Sequence, residues 1–61
     1  MTTAPQMLRE KEAAAYLGLA PKTLARWRWA GKGPRFHRLG SAVRYSVQEL
    51  DLFITDAAVA R

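Results

Sequence analysis

The stretch Ala13-Ala14-Ala15-Tyr16-Leu17-Gly18-Leu19-Ala20-Pro21-Lys22-Thr23-Leu24-Ala25-Arg26-Trp27 decides how this chain folds. From about Arg9 to Leu17 the residues are good helix formers, and Ala13, Ala14 and Leu17 are spaced to share one side. Gly18 then ends the helix. Leu19 and Ala20 form a very short connection to Pro21, whose fixed φ and missing N–H suit the first position of a new helix. Two short helices therefore meet at a tight turn.

Working outward, the second helix is expected from Pro21 to Ala30, stopping at Gly31, with Leu24 and Trp27 on its inner face. At about 100° per residue, Lys22, Arg26 and Trp29 cluster on the opposite side, flanked by Thr23 and Ala25, with Arg28 nearer the core edge. Lys32-Gly33-Pro34-Arg35 reads as a loop, and Phe36 to Tyr45 as a β-hairpin with Gly40 and Ser41 at its tip. A three-residue loop, Gly40 to Ala42, would pair Leu39 with Val43 and His37 with Tyr45 on one face, and Arg38 with Arg44 on the other. That register is expected because it separates apolar from basic residues, leaving His37 half-buried at the core edge.

Ser46-Val47-Gln48-Glu49 has the form of a capping box, with Tyr45 and Leu50 placed as a hydrophobic staple, so a third helix begins at Val47. Met1 to Met7 hold turn formers without periodicity. The expected organisation is a flexible arm over 1–7, a folded body over 8–56 and a fraying tail over 57–61. The expected core is Ala13, Leu17, Leu19, Leu24, Trp27, Leu39, Val43, Tyr45, Val47, Leu50, Phe53 and Ile54. The fold class is mainly α with a small two-stranded hairpin.

A chain of 61 residues forms one domain and leaves no room for a deep catalytic cleft with a scaffold around it. With 49% hydrophobic and 25% charged residues, it has the composition of a globular protein. There is no cysteine, and His37 alone cannot assemble a zinc site, so no metal and no cofactor is expected. Neither a secretory signal nor an apolar run of membrane-span length is present, which points to the cytoplasm and to no membrane partner. Charge is sorted along the chain. Lys22, Arg26, Arg28, Lys32, Arg35, Arg38 and Arg44 have no acidic residue among them, whereas Arg9, Lys11 and Arg61 are outnumbered by Glu10, Glu12, Glu49, Asp51 and Asp56. The middle segment would attract a polyanion and the ends would not.

Taken together, Lys11-Glu12-Ala13-Ala14-Ala15-Tyr16-Leu17-Gly18-Leu19, Thr23-Leu24-Ala25-Arg26-Trp27, Gly33-Pro34, Arg38-Leu39-Gly40, Val43-Arg44-Tyr45 and Glu49-Leu50-Asp51 resemble a known pattern. It is that of the excisionase and AlpA-type branch of the MerR-like winged helix-turn-helix DNA-binding family. The resemblance covers roughly Leu8 to Ile54. It implies a winged helix-turn-helix fold, with the second helix in the major groove and the hairpin wing along the backbone or in an adjacent minor groove. Two departures stand out: Ala20 occupies a position that usually carries a capping side chain, and Ser41 and Ala42 stand where relatives often have arginines.

On that resemblance Arg26 is expected to fork onto a guanine edge and Lys22 to neutralise phosphate. Thr23 is a candidate for a phosphate or thymine-methyl contact, or for a local substitute cap. Trp29 would meet the sugar-phosphate backbone or a neighbouring protomer, unless it packs against the Lys32 loop. Arg28, Lys32 and Arg35 flank the helix; Arg38, Ser41 and Arg44 belong to the wing, with Arg38 and Arg44 as phosphate clamps on one cationic face. Glu49, Asp51 and Asp56 lie on a helix beside no nucleophile, and Gly31-Lys32-Gly33 lacks the spacing of a phosphate-binding loop, so no catalysis is expected.

The expected function is sequence-preferring binding of double-stranded DNA by an excisionase-like recombination directionality factor. Its partners would be further copies of itself on adjacent sites and a site-specific recombinase. The rival readings are a phage or mobile-element transcriptional regulator and, from another class, a protein-interaction module docking on an acidic partner. Binding of RNA or single strands would want stacking aromatics on a sheet, where the hairpin offers only Phe36.

Overall fold

The computed structural model describes residues 6–58. Its elements in order are β1 (Met7–Leu8), α1 (Glu10–Leu17), α2 (Pro21–Trp29), β2 (His37–Leu39), β3 (Ala42–Ser46) and α3 (Val47–Ala57). The architecture is a winged helix-turn-helix. The turn between α1 and α2 is closed by backbone bonds, Gly18 N–H to the Ala15 carbonyl at 3.1 Å and Leu19 N–H to that of Ala14 at 2.8 Å. Ala20 takes the N-cap position of α2 in extended conformation and supplies no side-chain bond. Its carbonyl instead accepts the N–H groups of Thr23 and Leu24 at 3.0 and 3.3 Å.

The wing differs from expectation in strand number. β1 pairs antiparallel with β3, Met7 opposite Ser46 and Leu8 opposite Tyr45, so the sheet has the order β1-β3-β2. Val47 N–H also donates to the Gln6 carbonyl at 3.1 Å. Met7 therefore belongs to the folded body and not to a loose arm. Two residues are too few to show strand periodicity, and what recruits them is the open edge of β3, whose polar backbone groups need partners. The rest of the expected arm, 1–5, lies outside the described residues, as do residues 59–61 of the expected tail; Ala57 is still helical.

The hairpin register also differs. His37 faces Arg44, Arg38 faces Val43 and Leu39 faces Ala42, which leaves a two-residue loop at Gly40-Ser41. Gly40 has a φ of +67°, and among the described residues only glycines have positive φ, which fits a tight connection with glycine first. This turn sets the pairing, and the fully buried Tyr45 sets which face turns inward. Val43 accordingly packs on the core beside it, while Leu39 is 58% exposed and leaves the expected core. Arg38, although on the inner-face register, belongs to an exposed edge strand and stays in water at no desolvation cost.

The core consists of Ala13 and Ala14 from α1, Leu24 from α2, Tyr45 from β3 and Leu50 from α3. Leu8, Leu17, Trp27, Phe36 and Val43 pack around it. Leu19, Val47 and Phe53 are half-buried. Trp27 and Phe53 join α2 to α3 with ring centroids 6.0 Å apart. Ile54, expected inside, is 46% exposed. The apolar stripe of α3 runs through Leu50 to Phe53 and Trp27, which places Ile54 on the opposite flank, near Asp51. Ser46 is the N-cap of α3 but makes no side-chain cap bond. The Glu49 carboxylate that would complete the box bonds His37 instead, at 2.6 Å.

Candidate nucleic-acid interface

α2 exposes Lys22, Arg26 and Trp29, spaced four and three residues apart, and so carries them as one outward stripe, with Thr23 half-buried at its side. Leu24 is buried and Trp27 half-buried on the opposite side, which fixes the rotation of the helix on the body. Beyond its C-terminus Lys32 and Arg35 are exposed, and on the wing so are Arg38 and Ser41. Among the described residues only Arg28 and His37 lie within ion-pair distance of a carboxylate, so the lysines of this surface and its arginines other than Arg28 keep their charge available.

Arg28 departs from the expectation of a free flanking cation. Its Nε donates to Glu10 Oε2 at 2.8 Å and its Nη2 to Oε1 at 3.4 Å, while the Tyr45 hydroxyl donates to Oε2 at 2.9 Å. The guanidinium lies 5.8 Å from the ring centroids of both Trp29 and Phe36. The Arg28 hydrogen bond holds the Glu10 carboxyl below its ordinary range against the opposing effect of burial, with Tyr45 adding to the lowering. Arg28 in turn is raised, chiefly by its bond to Glu10. Burial first, and the bond to Glu10 second, push the Tyr45 hydroxyl up to about 12. A cation placed near the core edge is drawn to the nearest carboxylate because a half-buried charge needs a partner.

The expected single cationic face of the wing does not form either. Arg38 and Arg44 lie out of register by one residue and therefore on opposite faces. Arg38 is exposed; Arg44 is half-buried and donates from Nη1 to the carbonyl of Val43 at 2.8 Å. His37, expected at the core edge, is exposed on the other face and tied to Glu49 of α3. Sequence reading missed Glu10, Phe36 and Glu49 as partners in these contacts, since none stands at a local spacing from the residue it meets. The Tyr16 hydroxyl likewise donates to Asp51 across α1 and α3, which raises the Tyr16 pKa.

Among the described residues there is no group of three His, Asp or Glu side chains able to hold a metal ion, and no helix is long and apolar enough to cross a membrane. What the surface offers is two exposed cations on α2, Lys22 and Arg26, continued by a basic loop and an exposed wing tip. Residues 7–58 match the sequence model of a helix-turn-helix domain family, the one that holds excisionase-like and AlpA-like proteins. The chain belongs to this family. No curated protein matches it. A helix-turn-helix domain of this family is a sequence-specific DNA-binding module, and DNA is the partner it supports. In this helix-turn-helix domain α2 occupies the position of the recognition helix and the β2-β3 hairpin that of the wing.

Proposed function

We propose that this domain prefers particular duplex sequences by laying α2 in the major groove and the wing against the adjacent backbone or minor groove. Arg26 forks onto a guanine edge, Lys22 pairs with phosphate, and Thr23 contributes a phosphate or methyl contact from the flank. Lys32 and Arg35 strengthen the field of the loop, while Arg38 and Ser41 stand at the wing. Arg28 is left out of the contact set because Glu10 holds it. The observation that carries this reading is the exposed Lys22-Arg26-Trp29 stripe, whose cations have no carboxylate partner among the described residues.

We further infer an excisionase-like role. A single module buries only about 600–1,000 Å² of its surface on DNA, so useful affinity calls for further copies on adjacent sites or a site-specific recombinase beside it. Cooperative occupancy of neighbouring sites would bend the duplex and so direct recombination.

Fluorescence anisotropy against a random duplex pool at two salt concentrations, with sequencing of the bound fraction, tests the first step. Enrichment of a short motif with a steep salt dependence supports it, and absence of duplex binding at low salt rejects it. Bending of the selected site, together with a change in the direction of recombination, supports the excisionase role. Binding that neither bends DNA nor alters recombination would assign the domain to transcriptional regulation.

A further inference from the structure

We propose that Trp29 is a specificity-determining residue whose indole packs on the C5-methyl group of a pyrimidine in the major groove, with Arg28 as its positioning residue; this rests on the DNA-binding reading above. Trp29 is 82% exposed, the most open of the exposed large apolar side chains among the described residues. Its direction is nevertheless defined. It follows Arg26 by three residues and Lys22 by seven, and so extends the cationic stripe of α2 with an apolar end.

The ring also has a fixed neighbour. The Arg28 guanidinium, 5.8 Å from the indole centroid, is the same distance from Phe36 and is held by Glu10 at 2.8 Å. A free arginine would follow the ring wherever it moved. This one is anchored at its other end, and therefore biases the indole toward one placement while leaving most of its surface bare.

Seven residues of helix span about 10 Å, comparable with the roughly 12 Å width of the major groove, so Lys22, Arg26 and Trp29 can engage one groove together. The apolar feature that base edges present there is the C5-methyl of thymine. 5-Methylcytosine carries the same group at the same place. An uncharged ring on a methyl would add sequence preference without neutralising phosphate.

The test compares wild type, Trp29→Ala and Arg28→Lys on the best site selected from the random duplex pool. Thymines are replaced one at a time by uracil, which removes the methyl and keeps the pairing. Wild type is expected to lose about fourfold in affinity at one position, the equivalent of one buried methyl. Trp29→Ala is expected to bind thymine and uracil duplexes equally there, with its salt slope unchanged. Arg28→Lys keeps a cation for Glu10 but has no plane to stack, and is expected to discriminate less at the same salt slope. A second arm places a C·G pair at that position with and without C5 methylation. A methyl-dependent gain in wild type extends the site to methylcytosine, and no gain confines it to thymine.

Uracil without effect at every position, or full methyl sensitivity retained in Trp29→Ala, overturns the proposal while leaving DNA binding intact. Full discrimination in Arg28→Lys overturns the positioning role. Failure to select any duplex overturns the DNA-binding reading and this inference with it. Circular dichroism of Trp29→Ala, a substitution at an exposed site, establishes that the variant is folded.

Discussion

Arg28 of α2 donates from Nε to Glu10 Oε2 at 2.8 Å, tying the last turn of α2 to the first turn of α1. The same carboxylate oxygen accepts the Tyr45 hydroxyl at 2.9 Å, so one acid joins both helices of the motif to the central strand of the sheet. The orientation of α2 relative to the wing thus depends on a half-buried polar contact as well as on the small apolar core.

Arg28→Met retains the stem and removes the charge, and is expected to cost about 1.5–3 kcal/mol in urea unfolding because the Glu10 carboxylate loses its charged partner. On DNA the log–log salt slope is expected to stay that of wild type, since Glu10 already pairs the Arg28 guanidinium. A slope lower by about 1 would return Arg28 to the backbone contacts.

The same network contributes to the pH dependence of stability at both ends. Glu10 has a lowered pKa in the folded state, so its contribution is complete above its ordinary value of 4.5 and is lost as pH falls through the folded value. Tyr45 is raised from 10 to about 12, so its contribution is complete below 10 and is lost as pH rises toward 12. Urea midpoints are expected to drop at both ends. Glu10→Gln should flatten the acid limb and Tyr45→Phe the alkaline one, each relative to wild type.

Arg26→Ala is expected to cost about 1–3 kcal/mol of binding and to relax preference at one base pair, whereas Lys22→Ala should weaken all duplexes alike and reduce the salt slope by about 1. On the wing, Arg38→Ala is expected to reduce the slope by about 1 as well. Arg44→Ala should change it less, because Arg44 is half-buried and already bonded to the Val43 carbonyl. Equal effects of the two wing arginines in anisotropy titrations at several salt concentrations would contradict the register described.

Thermodynamics also reads that register. Leu39→Ala is expected to change stability by less than about 0.5 kcal/mol, as an exposed side chain, while Leu50→Ala should cost about 2–5 kcal/mol. A loss at Leu39 comparable with that at Leu50 would favour the three-residue loop.

Gly33 has a φ of +91°, and a Cβ built there would stand 3.1 Å from both Cβ and Cε3 of Trp27. Gly33→Ala is therefore expected to destabilise by about 1–3 kcal/mol through backbone strain and displacement of the indole. Thermal unfolding checks this, and in a Trp27→Phe background, which removes Cε3 but keeps Cβ, the cost of Gly33→Ala is expected to fall only in part.

The local elements were legible because their causes are local. Helix formers before Gly18, Pro21 at the start of α2 and the three-residue step from Leu24 to Trp27 each act through neighbours a turn away. The outward direction of Lys22, Arg26 and Trp29 follows from the same periodicity, and the structure has all three exposed. Period-two reasoning was weaker on the wing, where Arg38 in an edge strand can remain in water and so carries no information about which face is inner.

By itself, then, the amino-acid sequence determined the order of the three helices, the tight turn between the first two, the face of α2 that looks outward and the sorting of charge toward that face. Tertiary structure alone decided the third strand at Met7–Leu8, the two-residue turn, and the commitment of Arg28 to Glu10 and of Glu49 to His37. Open strand edges and half-buried charges are satisfied by whatever group the fold brings within hydrogen-bond reach. That partner is fixed by distance in space, which spacing along the chain does not record.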